Sequence, residues 1–105
     1  MKIDLFDKKL EAVFDLGQYC KDNNIDAEGV TSLDCGSNKL IELDVSKLVN
    51  LRELYCYDNN LTEIKGLDKL VNLEILDYSD NKITELDLSK LDNLWVLNGA
   101  KYIKQ

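Results

Sequence analysis

Apolar residues that lie two positions apart recur along much of the chain and dominate its hydrophobic pattern. The pairs are Leu33 with Cys35, Leu54 with Cys56, and Leu76 with Tyr78. Because side chains alternate between the two faces of a strand, each pair points to one face and the residue between its members points to the other. The pattern predicts three short strands, with the pairs in the core and the intervening Asp34, Tyr55 and Asp77 on the surface.

These pairs belong to a longer repeat. Equivalent segments begin at Val30, Leu51, Leu73 and Leu94, which are 21, 22 and 21 residues apart, and the last segment is incomplete. A fixed period near twenty residues indicates stacked units that share one core. The apolar residues expected to line the return arms are Leu43, Ile64 and Leu86, followed by Leu48, Leu70 and Leu91.

An asparagine follows each predicted strand, at Asn38, Asn59 and Asn81. A side-chain amide at this point can satisfy backbone groups of a turn that no strand ladder reaches. We therefore expect these asparagines to serve structure rather than binding.

The combined pattern, LxxLxCxxNxL, resembles the leucine-rich-repeat family, particularly its short bacterial and internalin-like forms. The resemblance covers residues 30–105. It implies an α/β fold, a short solenoid with a parallel sheet on its concave face. It implies little about function, because the family serves many partners on one scaffold.

Residues 1–29 are expected to form a helical cap on the repeats of residues 30–105, within one folding domain. The apolar residues at steps of three and four are Phe6, Leu10, Val13, Gly17 and Cys20. This spacing predicts an amphipathic helix over residues 5–22, with Asp4 capping its start and Asn23–Asn24 at its end. The helix could instead bind a partner, but the exposed end of a repeat array needs a cover.

Residues 94–105 permit two readings. In a fourth repeat, Gly99 takes the core position of the cysteines and Tyr102 replaces the asparagine. In a hairpin, Asn98–Gly99 forms the preferred two-residue turn. The fourth strand is slightly favoured, and either version leaves a sheet edge that can pair with another chain.

The charge of the chain restricts its partners. A net charge of -7 at pH 7 repels nucleic-acid phosphates and anionic membranes, so a protein partner with a basic or mixed apolar and basic surface is expected.

The first residues are charged and no apolar run is long enough to cross a bilayer. We expect a cytoplasmic protein, monomeric or weakly dimeric through its sheet edge.

The chain lacks the residues that most catalytic and metal sites need. It has no histidine, and Cys20, Cys35 and Cys56 form no CxxC pair, which indicates reduced thiols rather than a zinc site or a full set of disulfides. Asp58 and Asp80 share one row, but two carboxylates make a poor calcium site. We expect no enzymatic activity, no cofactor and no metal.

The surface positions of successive strands form the candidate binding face. Neighbouring strands lie about 4.8 Å apart, so apolar residues from several units can form one island. The expected island is Tyr55, Tyr57, Ile75, Trp95 and Val96. The carboxylates expected around it are Asp34, Glu53, Asp58, Glu74, Asp77 and Asp80. An aromatic centre with a charged rim is typical of protein-binding patches, although tyrosines also simply favour strands.

Two functions follow from this face. The preferred one is a protein–protein interaction module that binds its partner through the aromatic island. The alternative is an acidic inhibitor that occupies the basic groove of a nucleic-acid-binding enzyme, with carboxylates in place of phosphates. A steep loss of binding with added salt would favour the inhibitor.

Overall fold

A computed structural model describes residues 1–99 of the chain. These residues form a five-stranded parallel sheet in which each strand pairs with the next one along the sequence. The strands are Lys2–Asp4 (β1), Ser32–Asp34 (β2), Glu53–Tyr55 (β3), Ile75–Asp77 (β4) and Val96–Asn98 (β5). Parallel neighbours require a return connection between every two strands, so the chain winds as a solenoid.

The register of the sheet aligns the predicted core residues in rows. Leu33 pairs with Leu54, Leu54 with Leu76, and Leu76 with Leu97. Cys35, Cys56 and Tyr78 form the next buried row. The three predicted strands and their inward faces are therefore confirmed. The return arms add buried leucines, although Leu86 is only partly buried.

Asn59 shows how the repeated asparagines stabilise the turns. Its side-chain oxygen accepts the Leu40 N–H at 3.0 Å, and its amide donates to the carbonyls of Cys35 and Cys56, both at 3.1 Å. Asn38 and Asn81 accept the corresponding N–H groups of Leu10 and Leu61. Each asparagine thus links its own turn to the unit before it. The structural assignment of these residues is confirmed.

The second repeat differs in its return arm, as the position of its extra residue suggested. Gly66 has a φ of 81° and precedes a short 3-10 helix at Leu67–Lys69. A Cβ at Gly66 would lie 2.6 Å from the Cα of Ser46 in the preceding unit. Glycine is therefore required here both for its backbone angle and for the close approach of the two arms.

The N-terminal helix is shorter than the sequence pattern predicted. A helix is present, but α1 spans only Leu16–Asp22, so the prediction of a helix from residue 5 is wrong. Asp15 caps it by accepting the Gln18 N–H, whereas Asp4 accepts the N–H of Phe6 in a turn. The helix ends at Asn23, as expected.

The residues before α1 form a strand and a turn of the repeat type. Ile3 pairs with Leu33, and both Ile3 and Leu5 are buried. Asp7 and Lys9 have positive φ angles, which a right-handed helix cannot contain. Strand pairing is favoured over a helix in this segment because it buries Ile3 and Leu5 against the end of the core, which would otherwise be exposed. Residues 1–29 therefore form a degenerate first unit with α1 in its return arm.

The strand that a fourth repeat requires is present at the C-terminal end of the described residues. β5 pairs with β4 in parallel, and Leu97 takes the core position. The residues that would complete a hairpin, including Tyr102, lie outside the described residues.

Candidate protein-binding face

Two rows of side chains project from the sheet on the side opposite the core. The first row is Lys2, Ser32, Glu53, Ile75 and Val96. The second row is Asp4, Asp34, Tyr55, Asp77 and Asn98. We call these two rows, with the turn residues that directly follow them, the strand face. The rows agree with the surface positions assigned from the sequence and extend them by one unit, because β1 was not predicted.

The register brings part of the predicted island together. Ile75 and Val96 are direct partners on β4 and β5. Tyr55 lies opposite Asp77 and is therefore diagonal to Ile75, within reach of a long side chain. These three apolar side chains are half-buried. Trp95 precedes Val96 beside Glu74 and is 74% exposed.

Tyr57 lies on another part of the strand face. A Cβ placed on Gly36 would come 2.5 Å from the Tyr57 Cζ atom, so the ring covers the backbone of the neighbouring turn. On that side it meets Phe6, with 6.2 Å between the ring centroids and an interplanar angle of 40°. Tyr57 therefore leans toward the first unit and away from β5. The predicted island is therefore divided: Tyr57 pairs with Phe6, whereas Ile75 and Val96 form an apolar cluster on β4 and β5 with Tyr55 diagonal to it.

Phe6 is the residue that sequence reasoning missed. It was expected on the apolar side of a helix, but it is 45% exposed beside Tyr57. The available signal was the spacing of Ile3, Leu5 and Leu10, which matches that of Leu33, Cys35 and Leu40. This spacing places Phe6 in the same row as Gly36.

Several carboxylates of the strand face also stabilise local structure. Asp34 accepts the Gly36 N–H at 3.0 Å, and Asp77 accepts the Ser79 N–H at 3.1 Å. Glu53 accepts the hydroxyl proton of Tyr55 at 2.9 Å, which holds that ring across its own strand. These carboxylates are therefore held in place before any partner binds.

Three further acids are arranged differently. Glu74 forms an ion pair with Arg52 at 3.7 Å, and both side chains are well exposed. Asp58 and Asp80 occupy left-handed turn positions with φ near 54° and 55°, a conformation that aspartate tolerates better than most residues. Asp58 also accepts the Ser37 hydroxyl at 3.0 Å. Within residues 1–99, no group of three or more histidine, cysteine, aspartate or glutamate residues is placed to hold a metal ion.

The electrostatic environment of both tyrosines is negative. Burial raises the pKa of Tyr57, and Asp34, Asp77, Asp4 and Asp58 raise it further. The pKa of Tyr55 is also raised, first by burial and then by its hydrogen bond to Glu53. Asp4, which was not predicted as a surface residue of this face, contributes to the field at Tyr57.

A groove of about 930 Å³ lies beside Phe6, next to the ring pair. Its walls include Phe6 and Leu10 from the first unit and Ser37 and Asp58 from the turns of the next two units. It is open and mixed in character, with the acids Asp7, Glu11 and Asp58 and the cations Lys9 and Lys39 among its lining residues.

The cysteines provide no nucleophile at neutral pH. Cys20, Cys35 and Cys56 are free and buried. Burial raises the pKa of Cys35 to about 12 and the pKa of Cys56 well above its ordinary value. Thiols in this environment stay protonated and behave as small apolar side chains.

Comparison with known proteins agrees with the fold. The family model described as Leucine Rich repeats (2 copies) matches residues 49–93. Residues 49–93 thus match leucine-rich repeats, and the five parallel strands and the repeated asparagines extend the same architecture over the described residues. Domains of this family generally bind other proteins and are typically scaffolds without enzymatic activity. Comparisons with curated proteins and with solved structures gave no match.

None of the helices in residues 1–99 has the length and apolar composition that a membrane span needs.

Proposed function

We propose that this chain is a protein-interaction module that binds its partner through the strand face. The observation that carries the proposal is the convergence of Tyr55, Ile75 and Val96 across three adjacent strands, within a ring of carboxylates. The partner has a surface that combines apolar and basic groups.

The arrangement suits binding on energetic grounds. Tyrosine has few rotatable bonds, and Tyr55 is already held by Glu53, so little side-chain entropy remains to be lost on binding. The half-buried rings supply apolar contact area, and the surrounding carboxylates steer a basic partner and set its orientation.

An acidic inhibitor that occupies the basic groove of a nucleic-acid-binding enzyme is the second candidate. Its support is the row that contains Asp4, Asp34 and Asp77, together with the turn acids. Tyr55 interrupts this row, however, and Arg52 pairs with Glu74 at its border. These two features favour an aromatic anchor over a continuous imitation of phosphates.

Photo-crosslinking tests the proposed face directly. A photoreactive phenylalanine analogue at Ile75 should capture the partner in extracts of the native host. The same analogue at Ile41, which is 46% exposed but lies on a return arm, is the matched control. Capture should disappear when Tyr55→Ala and Trp95→Ala are added to the Ile75 probe. Equal capture from position 41 would place the interface elsewhere.

A further inference from the structure

The Phe6–Tyr57 ring pair is separate from the apolar cluster at β4 and β5, and its surroundings differ. Tyr57 rests on Gly36 and meets Phe6, while the rest of its ring is partly exposed. The open groove lies beside Phe6. An aromatic surface next to a groove has room for one further side chain.

The charges around this ring pair determine which side chain fits. Asp4, Asp34, Asp58 and Asp77 come from four successive units, and all four act on Tyr57. The cations that line the groove, Lys9 and Lys39, lie further along the turns, beyond the residues of the strand face. On the strand face itself, the field at Tyr57 comes from carboxylates. An anionic or neutral group gains nothing there, whereas a cation is attracted by both the acids and the π-face.

We propose that the Phe6–Tyr57 ring pair binds an arginine side chain from an extended segment of the partner protein. This rests on the proposed function, because it names the chemistry that one half of the strand face recognises. A planar guanidinium stacks on an aromatic ring and donates several N–H bonds to carboxylates in one plane. The ammonium group of lysine is compact and strongly hydrated, so it gains less from the ring.

The two halves of the strand face then recognise different features of one partner. The arginine occupies the ring pair near β1 to β3, and an apolar residue contacts Ile75 and Val96 on β4 and β5. Adjacent strands are about 5 Å apart, so an extended segment that crosses the strands reaches both halves. The required partner segment carries an arginine and an apolar side chain a few residues apart.

NMR titration of the labelled protein with small probes tests this proposal without the partner. The probe is N-acetyl-arginine amide, and its neutral isostere N-acetyl-citrulline amide and N-acetyl-lysine amide are the comparisons. The arginine probe should cause saturable shifts at the amides of Gly36 and Tyr57. Its Kd should be lower than that of the lysine probe by about five-fold or more. Equal shifts with citrulline, equal affinity for lysine, or shifts confined to Trp95 and Val96 would each overturn it.

Three variants give the titration its controls. Tyr57→Leu removes the ring and should abolish the saturable shifts at Gly36. Asp34→Asn removes a charge but keeps an oxygen for the Gly36 N–H, so it should weaken the arginine probe about three-fold or more without disturbing the turn. Glu63→Gln makes the same charge change at an exposed residue of a return arm and should leave the Kd unchanged. An Asp34→Asn variant that binds no more weakly than Glu63→Gln contradicts the proposal.

Failure of the arginine site can be distinguished from failure of the proposed protein-binding function. If arginine fails to bind while the Ile75 crosslink captures a partner, the strand face is an interface but the arginine site is wrong. The opposite result is that arginine binds at Tyr57 but the probe at Ile75 captures only what the control probe at Ile41 also captures. In that case the proposed function fails, although the ring pair does bind arginine.

Discussion

The ring of Tyr78 lies against Gly99 of the following unit and occupies the space that a side chain at position 99 would need. Tyr78 is 1% exposed and stands where the preceding units have Cys35 and Cys56. From Cys35 onward the core row thus contains two small residues, one large ring and a glycine, and the ring fills the volume that the glycine leaves. Tyr57 and Gly36 show the same complementarity on the strand face, but there the ring leans toward the preceding unit.

Gly99→Ala should therefore lower the free energy of unfolding by about 1 to 3 kcal/mol, because the new methyl group meets the Tyr78 ring. Urea denaturation followed by circular dichroism measures the change. Gly29→Ala is the control, since a Cβ at position 29 would only reach Asp26 atoms 4.0 Å away. The double variant Tyr78→Leu/Gly99→Ala should show a favourable coupling of about 0.5 kcal/mol or more. Additive effects would mean that the two residues do not share this space.

Replacement of the central asparagine should be costly. Asn59→Ala leaves the buried Leu40 N–H without its acceptor and removes one of the two amide donors at each of the Cys35 and Cys56 carbonyls, and we expect a loss of about 1 to 3 kcal/mol. Asn60→Ala changes the same residue type at the exposed next position and should alter stability by less than about 0.5 kcal/mol. Thermal and urea unfolding of both variants makes the comparison. Similar losses for the two would show that the amide is not responsible.

The buried thiols should make the fold sensitive to alkaline pH. An unfolded cysteine ionises near pH 8.5, whereas the pKa of Cys35 in the fold is about 12 and that of Cys56 is also raised. The folded state therefore keeps protons that the unfolded state loses, so stability is unaffected below about pH 8.5 and falls above it. Each thiol contributes a slope that averages about 1 kcal/mol per pH unit between about pH 8.5 and 9.5 and approaches about 1.4 kcal/mol per pH unit once the unfolded thiol is fully ionised.

Urea unfolding between about pH 8.5 and 9.5 measures this slope before most tyrosines and lysines of the unfolded chain ionise. The control is Cys35→Ala/Cys56→Ala, which is less stable at every pH but should lose most of the slope. A parent protein whose stability is constant across this range would contradict the burial of both thiols.

Binding kinetics should separate the two candidate functions once the partner is captured. If the aromatic side chains are the anchor, Tyr55→Ala and Trp95→Ala each weaken binding by about 2 kcal/mol or more, mainly through faster dissociation. The charge-neutral pair Asp77→Asn/Asp80→Asn should mainly slow association and flatten its salt dependence. Surface plasmon resonance at two salt concentrations measures both rates. The ranking reverses for an acidic inhibitor, and aromatic variants that bind like the parent would rule out the preferred anchor.

The strands, the core rows and the asparagines could be predicted because their signals are local. Leu54 and Cys56 alternate with surface residues, and their spacing recurs in the next unit, so one short segment contains the information. The N-terminal segment lacks this clarity. Leu10, Val13 and Cys20 fit helical spacing as well as a degenerate repeat, and only the pairing of Ile3 with Leu33, far along the chain, decides between them.

The composition of the strand face was predictable, but the direction of its side chains was not. The register of β4 and β5 alone places Ile75 beside Val96, independently of how the surrounding side chains pack. The lean of Tyr57, in contrast, depends on the missing side chain at Gly36 and on the presence of Phe6 two units away. Such packing preferences lie outside any single repeat, which is why one island was expected where two groups are found.

Strand pairing joins every unit only to its immediate neighbours, and this makes the architecture extensible. The leucine rows and the asparagine hydrogen bonds repeat the same contact from β2 to β4. A duplicated unit inserted between β3 and β4 would meet the surroundings that its original already satisfies. Each insertion would widen the strand face by about 5 Å and add a fresh set of outward positions. The length of the solenoid can thus change in one step by duplication of a repeat in the gene. A partner with a longer contact surface would require more turns of the solenoid but no new fold.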